Sequence, residues 1–117
     1  MKFLLMLISD ELAWQSLPAA QQEAVVARHG TFERDLTAQG KFLGCNALGP
    51  SRDAKTVRLH SDGARVVTDG PYAEAKELIG GYYLIECASM DEAVAWAKRV
   101  PNPFGSVEVR AVWEPAS

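Results

Sequence analysis

Cysteine and histidine are scarce in this sequence, which has two of each among 117 residues. Cys45 and Cys87 lie far apart in sequence, as do His29 and His60, and neither pair has the spacing of metal ligands. We therefore expect no metal site and no disulfide framework. Two isolated thiols are typical of reduced cysteines in a cytoplasmic protein.

Excess positive charge and long apolar runs are also missing. The 12 basic residues are outnumbered by 15 acidic ones, and no basic stretch stands out, so we expect no nucleic-acid partner. The longest apolar run, residues 3–8, is far too short to span a membrane, and Asp10 and Glu11 follow it without a cleavage signal. We therefore interpret this run as a first strand, and we expect no membrane partner.

Motifs of the common catalytic and cofactor-binding classes are missing as well. The sequence has no glycine-rich phosphate loop, no Gly-x-Ser-x-Gly elbow and no His-Glu-x-x-His pair. These absences argue against a nucleotide-binding protein, a serine hydrolase of the elbow type and a zinc protease. We therefore expect no cofactor.

Two stretches of the sequence are apolar on both sides of a predicted strand. They are residues 2–8 and residues 80–87, and this pattern is typical of a strand that is buried on both faces. Ser61-Asp62-Gly63 is a hairpin signal between two further strands. The other predicted strands are residues 42–48, 55–60, 64–68 and 106–113.

The helical pattern occurs twice. A helix is predicted over residues 18–39, because apolar positions and one histidine recur at spacings of three and four. A second helix, ending near residue 99, follows a capping box formed by Ser89 and Glu92. The stripe of the first helix consists of Val25, His29, Phe32 and Leu36.

The order of these elements predicts one α+β domain over residues 1–117. Strand, helix, strand, hairpin, strand, helix and strand match a ferredoxin-like βαβ(ββ)βαβ antiparallel sheet that carries both helices on one face. The other face would then leave apolar side chains of two strands uncovered. An open apolar patch of that size is unusual on a monomer, so we expect a homodimer in which a second copy covers it.

A central segment of the chain resembles the DGPF branch of the YCII-related family. Residues 69–77 read DGPYAEAKE, with Tyr72 where that branch has phenylalanine, and a Gly-Gly-Tyr-Tyr segment follows at residues 80–83. The segment GSVEVR, which begins at Gly105, is also similar. The resemblance covers nearly the whole chain and implies a dimeric α/β barrel, in agreement with the argument from the uncovered face.

For function, the resemblance implies two alternatives. Some relatives are described as cofactor-free enzymes with a His–Asp pair in a cleft beside the sheet, and a few are dehydrochlorinases of chlorinated aromatics. Others lie beside extracytoplasmic-function sigma factors. For this chain the resemblance thus implies a cofactor-independent lyase or isomerase, acting by acid–base chemistry on a small molecule. The alternative is a non-catalytic ligand-binding protein that associates with a sigma factor.

The same resemblance identifies His29 as the candidate catalytic base or acid. His29 lies eleven residues before Gly40, as the family histidine lies before a helix-ending glycine. The family's aspartate follows the second helix beside a proline, but residues 99–103 read RVPNP here and contain none. Asp69 is therefore the candidate carboxylate partner, although the Gly-Pro that follows it also fits an ordinary turn.

Four more side chains are candidates for substrate binding. Glu74 and Lys76, like Glu77, are predicted in a loop or single helical turn, where they line a pocket mouth or are solvated surface charges. Tyr82 and Tyr83 point to opposite faces of their strand. We expect one of them to face a cleft or the dimer side, where its phenol can donate a hydrogen bond, and the other to pack in the core.

Overall fold

The computed structural model describes residues 1–71 and 77–115, and its main sheet has the predicted ferredoxin-like order β2-β5-β1-β6. All neighbouring strands in this sheet are antiparallel. The elements, in chain order, are β1 (Lys2–Asp10), α1 (Glu11–Gln15), α2 (Ala19–Ala38), β2 (Phe42–Ala47), a 3₁₀ turn (Ser51–Asp53), β3 (Lys55–Leu59), β4 (Arg65–Asp69), β5 (Glu77–Glu86), α3 (Met90–Ala97) and β6 (Gly105–Ala111). The predicted α+β fold class is therefore confirmed.

One face of the main sheet forms the core together with α2 and α3. Alternate residues of β1 are buried there, as the period of two in a strand requires, and they meet alternate residues of β5. The predicted stripe of α2 packs on this face. Its three apolar members, Val25, Phe32 and Leu36, are all buried. The strand residues of the core are Phe3, Leu5, Leu7, Tyr83 and Ile85, and Cys87 joins them directly after β5.

The short helix α3 buries two residues against the sheet. They are Ala93 and Trp96, whereas Val94 is 37% exposed. One half of the predicted capping box is present, because Ser89 Oγ accepts a hydrogen bond from the Glu92 N–H; the Glu92 carboxylate accepts from the Ala88 N–H, one residue before the cap, and not from Ser89. Among the described residues, no helix is both long enough and apolar enough to cross a membrane.

The opposite face of the sheet lies outside the core. Leu4, Met6 and Ile8 alternate with the buried residues of β1 and remain only half-buried, as does Leu84 of β5. The helices α2 and α3 contribute their buried residues to the first face alone. The sheet thus has one covered and one open face, as the sequence predicted.

The hairpin of β3 and β4 forms a two-stranded sheet of its own. Its turn follows the predicted signal, with Gly63 at a φ of +88° and the His60 N–H bonded to the Ala64 carbonyl. Every residue of β4 is exposed.

The chain as a whole measures 49 × 48 × 18 Å and has a radius of gyration of 16.4 Å. A compact chain of this length would have a radius of gyration of about 13 Å.

The strand β5 begins earlier than predicted. Glu77 pairs with Asp10 and Leu78 with Ser9, so the prediction of a loop or helical turn at Glu77 is wrong. The reason is that β1 also runs beyond its predicted end, and the two strands continue their ladder together. Glu74 and Lys76 lie outside the described residues.

At Gly81, a Cβ atom would stand 2.9 Å from the Asn46 carbonyl oxygen, so this glycine permits a close approach of β2 and β5.

Candidate functional site

A cleft of about 630 Å³ lies between α2 and the sheet. One wall is the face of α2 that carries His29, and the opposite wall is formed by β5 and β2. The indole of Trp14 and the segment after α3 close the cleft from other sides. Its lining is largely apolar with a few polar groups, which is the usual character of a small-molecule site.

Two polar side chains meet inside this cleft. His29 Nδ1 lies 2.7 Å from the Tyr83 hydroxyl, within hydrogen-bond distance, and the two rings are nearly parallel at 13° with centroids 5.8 Å apart. Phe32 packs edge-on against the Tyr83 ring, with centroids 4.9 Å apart. The stripe of α2 and the inward side of β5 therefore place an imidazole and a phenol in contact and hold both rings.

The contact of His29 with Tyr83 bears on which nitrogen carries the proton. The hydrogen bond of the ring joins Nδ1 to the Tyr83 hydroxyl, and a phenol O–H is a donor. We therefore assign the proton of the neutral imidazole to Nε2. Nδ1 is then the acceptor of the Tyr83 O–H, and the neutral imidazole has a basic nitrogen directed at the phenol.

Both members of this pair are neutral at physiological pH. Burial lowers the pKa of His29, and this effect outweighs the hydrogen bond to Pro101, which raises it; the nearby Arg28 lowers it further. Burial also raises the pKa of Tyr83, with smaller contributions from Cys45 and Glu33. The resting pair is thus an imidazole that can accept a proton and a phenol that can donate one.

Glu33 and Cys45 lie beside this pair. Glu33 follows His29 by one helical turn, and its Oε2 atom is 3.9 Å from Cys45 Sγ. Burial raises the pKa of Cys45, and the charge of Glu33 raises it further. Cys45 is therefore a thiol and not a thiolate, which argues against a nucleophilic role.

Of the six predicted site residues, three line the cleft. His29 and Tyr83 are in contact, and Tyr82 borders the cleft with its hydroxyl accepting a hydrogen bond from Asn46 Nδ2 at 2.8 Å. The structure thus brings both tyrosines to the cleft, although only one was expected there. Glu74 and Lys76 fall outside the described residues.

Asp69, the remaining predicted site residue, is not part of the cleft. It ends β4, its side chain is 84% exposed, and its carboxylate pairs with Lys55 across the hairpin. The physical reason is that the hairpin leaves the main sheet, so the end of β4 is carried away from α2. The other interpretation of Asp69, as a residue of an ordinary turn, fits the structure because Gly70 follows it at a φ of +96°.

The segment in which the family has its aspartate does reach the site. Pro101 and Asn102 line the cleft, and the backbone of Pro101 raises the pKa of His29. Asn102 holds the segment in place, because its Nδ2 donates to the carbonyls of Ile8 at 3.2 Å and Ser106 at 2.9 Å. This segment therefore contributes backbone to the site in place of a carboxylate.

Sequence reasoning missed Glu33. The signal was its position four residues after His29, which places both side chains on one face of a helix. It was not recognised because a charged residue beside an apolar stripe is ordinarily solvated.

The model of the YCII-related domain matches residues 1–115. The chain belongs to the YCII-related family. This YCII-related chain is 36% identical over 120 residues to an uncharacterized protein of Rhizobium meliloti (strain 1021), covering 98% of this chain and 96% of that protein.

A solved structure shares the fold of this YCII-related chain. It is the 5-chloro-2-hydroxyhydroquinone dehydrochlorinase of Burkholderia phenoliruptrix, in complex with 2,5-dihydroxybenzoquinone. The TM-score is 0.55 at 18% sequence identity, and the alignment covers 99% of this chain and 96% of the dehydrochlorinase. At this identity the similarity establishes the fold, and the cleft chemistry has to be argued from this chain's own residues.

Proposed function

We propose that this protein is a cofactor-free enzyme that uses His29, acting through Tyr83, as a base toward a small molecule in the cleft. The observation that carries the proposal is the 2.7 Å hydrogen bond between Nδ1 and the Tyr83 hydroxyl in the cleft wall. A buried hydroxyl that already donates to a basic nitrogen still has lone pairs that can accept a proton from a bound substrate. The pair therefore provides a short path for a proton from the cleft to the imidazole.

The reaction begins with a substrate hydroxyl on a double-bonded carbon, as in an enol or a phenol. Its proton passes to the Tyr83 oxygen as the Tyr83 proton passes to Nδ1, which leaves an imidazolium. The electron pair left on the substrate oxygen forms a carbonyl, and the pair of the adjacent C=C bond moves away from it. In an isomerisation, the far carbon of that double bond takes up the displaced pair together with a proton from the imidazolium. In an elimination, the displaced pair forms a new double bond to the next carbon, an anionic group leaves that carbon, and the imidazolium gives its proton to the leaving group or to water.

The comparison with the dehydrochlorinase supports this class of reaction. That protein has the same fold, and it is a dehydrochlorinase of a hydroxylated ring compound. The largely apolar lining of this cleft, with Trp14 and Phe104 as aromatic walls, suits a ring of similar size. We therefore take a small hydroxylated ring compound as the substrate class.

The assembly we propose is a homodimer. A second copy is the simplest cover for the open sheet face, on which Leu4, Met6, Ile8 and Leu84 are half-buried. The projecting hairpin supports this, because a two-stranded sheet is marginal by itself and this one exposes Val57, Leu59 and Val67. We also propose a cytoplasmic location, which the free thiols of Cys45 and Cys87 favour.

The test uses 5-chloro-2-hydroxyhydroquinone and a panel of unchlorinated ring diols as probes. We expect wild-type protein to release chloride from the first, or to catalyse exchange of ring hydrogens with D₂O in the second. His29→Ala should lose about 100-fold or more of this rate and Tyr83→Phe about tenfold or more, since general acid–base groups contribute factors of about 10²–10⁴. His60→Ala, on the exposed hairpin, is the matched control.

Two results would count against the proposal. Full turnover by His29→Ala would remove this histidine from the mechanism. Binding of the probes without turnover by wild-type protein would favour the alternative, a non-catalytic ligand-binding protein. Recovery of a sigma factor at equal stoichiometry with such a protein would then support the regulatory role that the resemblance implies.

A further inference from the structure

The carboxylate of Glu33 is a polar group in the cleft that the proposed reaction leaves unused. It lies on α2 one turn after His29, it is only half-exposed, and its one described hydrogen-bond contact is the weak one with Cys45 Sγ at 3.9 Å. A thiol is a weak donor, so both carboxylate oxygens retain capacity to accept hydrogen bonds. A partly buried carboxylate without a strong donor is costly in free energy unless a ligand or water satisfies it.

Among the described lining residues, the other acidic side chain is already satisfied. Glu11 accepts hydrogen bonds from the Ser51 N–H at 3.2 and 3.3 Å and from Ser51 Oγ at 3.0 Å. It thereby fastens the 3₁₀ turn to α1, which is a structural role. Glu33 has no such partner among the described residues, and it faces the same space as His29 and Tyr83.

The negative charge of Glu33 acts on its neighbours in the cleft. It raises the pKa of the Tyr83 phenol and of the Cys45 thiol, in each case in addition to the effect of burial. Both groups resist becoming anions beside it, and a bound anion would meet the same repulsion. Within the described lining, the charged side chains are Glu11 and Glu33, both of them acidic.

We propose that Glu33 determines which ligands enter the cleft: it accepts a hydrogen bond from a hydroxyl or ammonium group of the ligand and discriminates against carboxylates. This deepens the proposed function, because it places a second polar contact one helical turn, about 5.4 Å, along α2 from the His29–Tyr83 pair. A six-membered ring with two separate donor substituents matches that arrangement. The preferred ligand class is thus a neutral or cationic ring compound with donor groups.

The test measures binding of three probes of one shape and different charge: benzylamine, benzyl alcohol and benzoate. Dissociation constants come from NMR titration, with the ring resonance of His29 reporting that each probe occupies the cleft. For wild-type protein we expect benzylamine to bind about tenfold or more tightly than benzoate, because the Glu33 carboxylate attracts an ammonium group and repels a carboxylate. Benzyl alcohol should lie between them.

The decisive variant is Glu33→Gln, which keeps the shape of the side chain and removes its charge. We expect it to reduce the ratio of benzylamine to benzoate affinity by about tenfold or more. Glu33→Asp should retain most of the preference. Glu23→Gln, at an exposed position of the same helix, is the matched control and should leave the ratio unchanged.

Three results would overturn this proposal. They are tighter binding of benzoate than of benzylamine by wild-type protein, an unchanged ratio in a folded Glu33→Gln variant, and binding of the probes without any change at the His29 resonance. The readout is independent of turnover, so the two proposals fail separately. If the ratio of benzylamine to benzoate affinity depends on Glu33 but the protein shows no turnover, the proposal of ligand selection stands and the proposal of an enzyme fails.

Discussion

At the scale of single residues, the site depends on a histidine that the helix pattern places on an otherwise apolar stripe. His29 belongs to the same stripe as Val25 and Phe32, which are buried, and its Nδ1 atom is hydrogen-bonded there to the Tyr83 hydroxyl. Such a residue is expensive to bury in its charged form. Its protonation and the stability of the fold are therefore linked.

This linkage predicts how stability depends on pH. Burial lowers the pKa of His29 below the value of 6.5 that it has when unfolded, so the unfolded chain binds more protons at this site than the native one. The stabilisation is fully present above about pH 6.5 and is lost as the pH falls from there toward the folded pKa. We expect the free energy of unfolding, measured by urea titration, to decrease between pH 7 and pH 5.5.

Two variants assign that decrease to the correct histidine. His29→Gln should flatten the dependence between pH 7 and pH 5.5, whereas His60→Gln, on the exposed hairpin, should retain it. An equally steep decrease in His29→Gln would show that other groups are responsible.

Single residues of the site differ in how far the sequence reveals them. His29 was predictable because a helical stripe and its distance from Gly40 both single it out. Tyr83 was predictable as one of two candidates, since alternation along a strand cannot say which face borders a cleft. Asp69 is not among the described residues that line the cleft, and local sequence did not indicate this, because it describes a turn well but does not state where in space the hairpin carries it.

At the scale of elements, the strands are held in register by positions that tolerate no side chain. Gly105 begins β6 and pairs with Ser9, and a Cβ atom there would stand 1.8 Å from the Ile8 carbonyl oxygen. Real atoms cannot approach so closely, so a larger residue must displace β6 from β1. This clash explains why the GSVEVR segment begins with glycine.

Gly105→Ala is accordingly expected to be strongly destabilising. We expect a loss of about 3 kcal/mol or more in the free energy of unfolding, which is at the upper end for a single substitution. Gly49→Ala is the control, because a Cβ atom at Gly49 meets nothing within 4 Å. Chemical denaturation of the two variants measures the difference, and equal stabilities would contradict the clash.

The types of the elements followed from periodicity, and their ends did not. The predicted strand over residues 2–8 extends to Asp10, and that over residues 80–87 begins at Glu77. Each extension exists because the other strand is present as a partner. Backbone pairing of this kind leaves no mark in the side-chain pattern of either strand alone.

At the scale of the whole molecule, several large apolar side chains of the described residues lie outside the core. The open face of the main sheet contains half-buried Leu4, Met6 and Leu84, and Trp113 beyond β6 is 84% exposed. The order of strands was predictable from the sequence because βαβ units allow few arrangements. The outward course of the hairpin was not, since nothing in its alternating pattern specifies what it packs against.

The proposed homodimer makes a direct prediction about mass. In sedimentation equilibrium at micromolar concentration, we expect a species of twice the 12.8 kDa of one chain.

Met6→Lys places an ammonium group in the centre of the open face, where dimerisation would bury it without a partner. The dimer dissociation constant should rise by about 100-fold or more, equivalent to about 3 kcal/mol. Val94→Lys, on the exposed side of α3, should not change it. If wild-type protein sediments as a stable single chain, the open face has another cover, and the second copy is excluded.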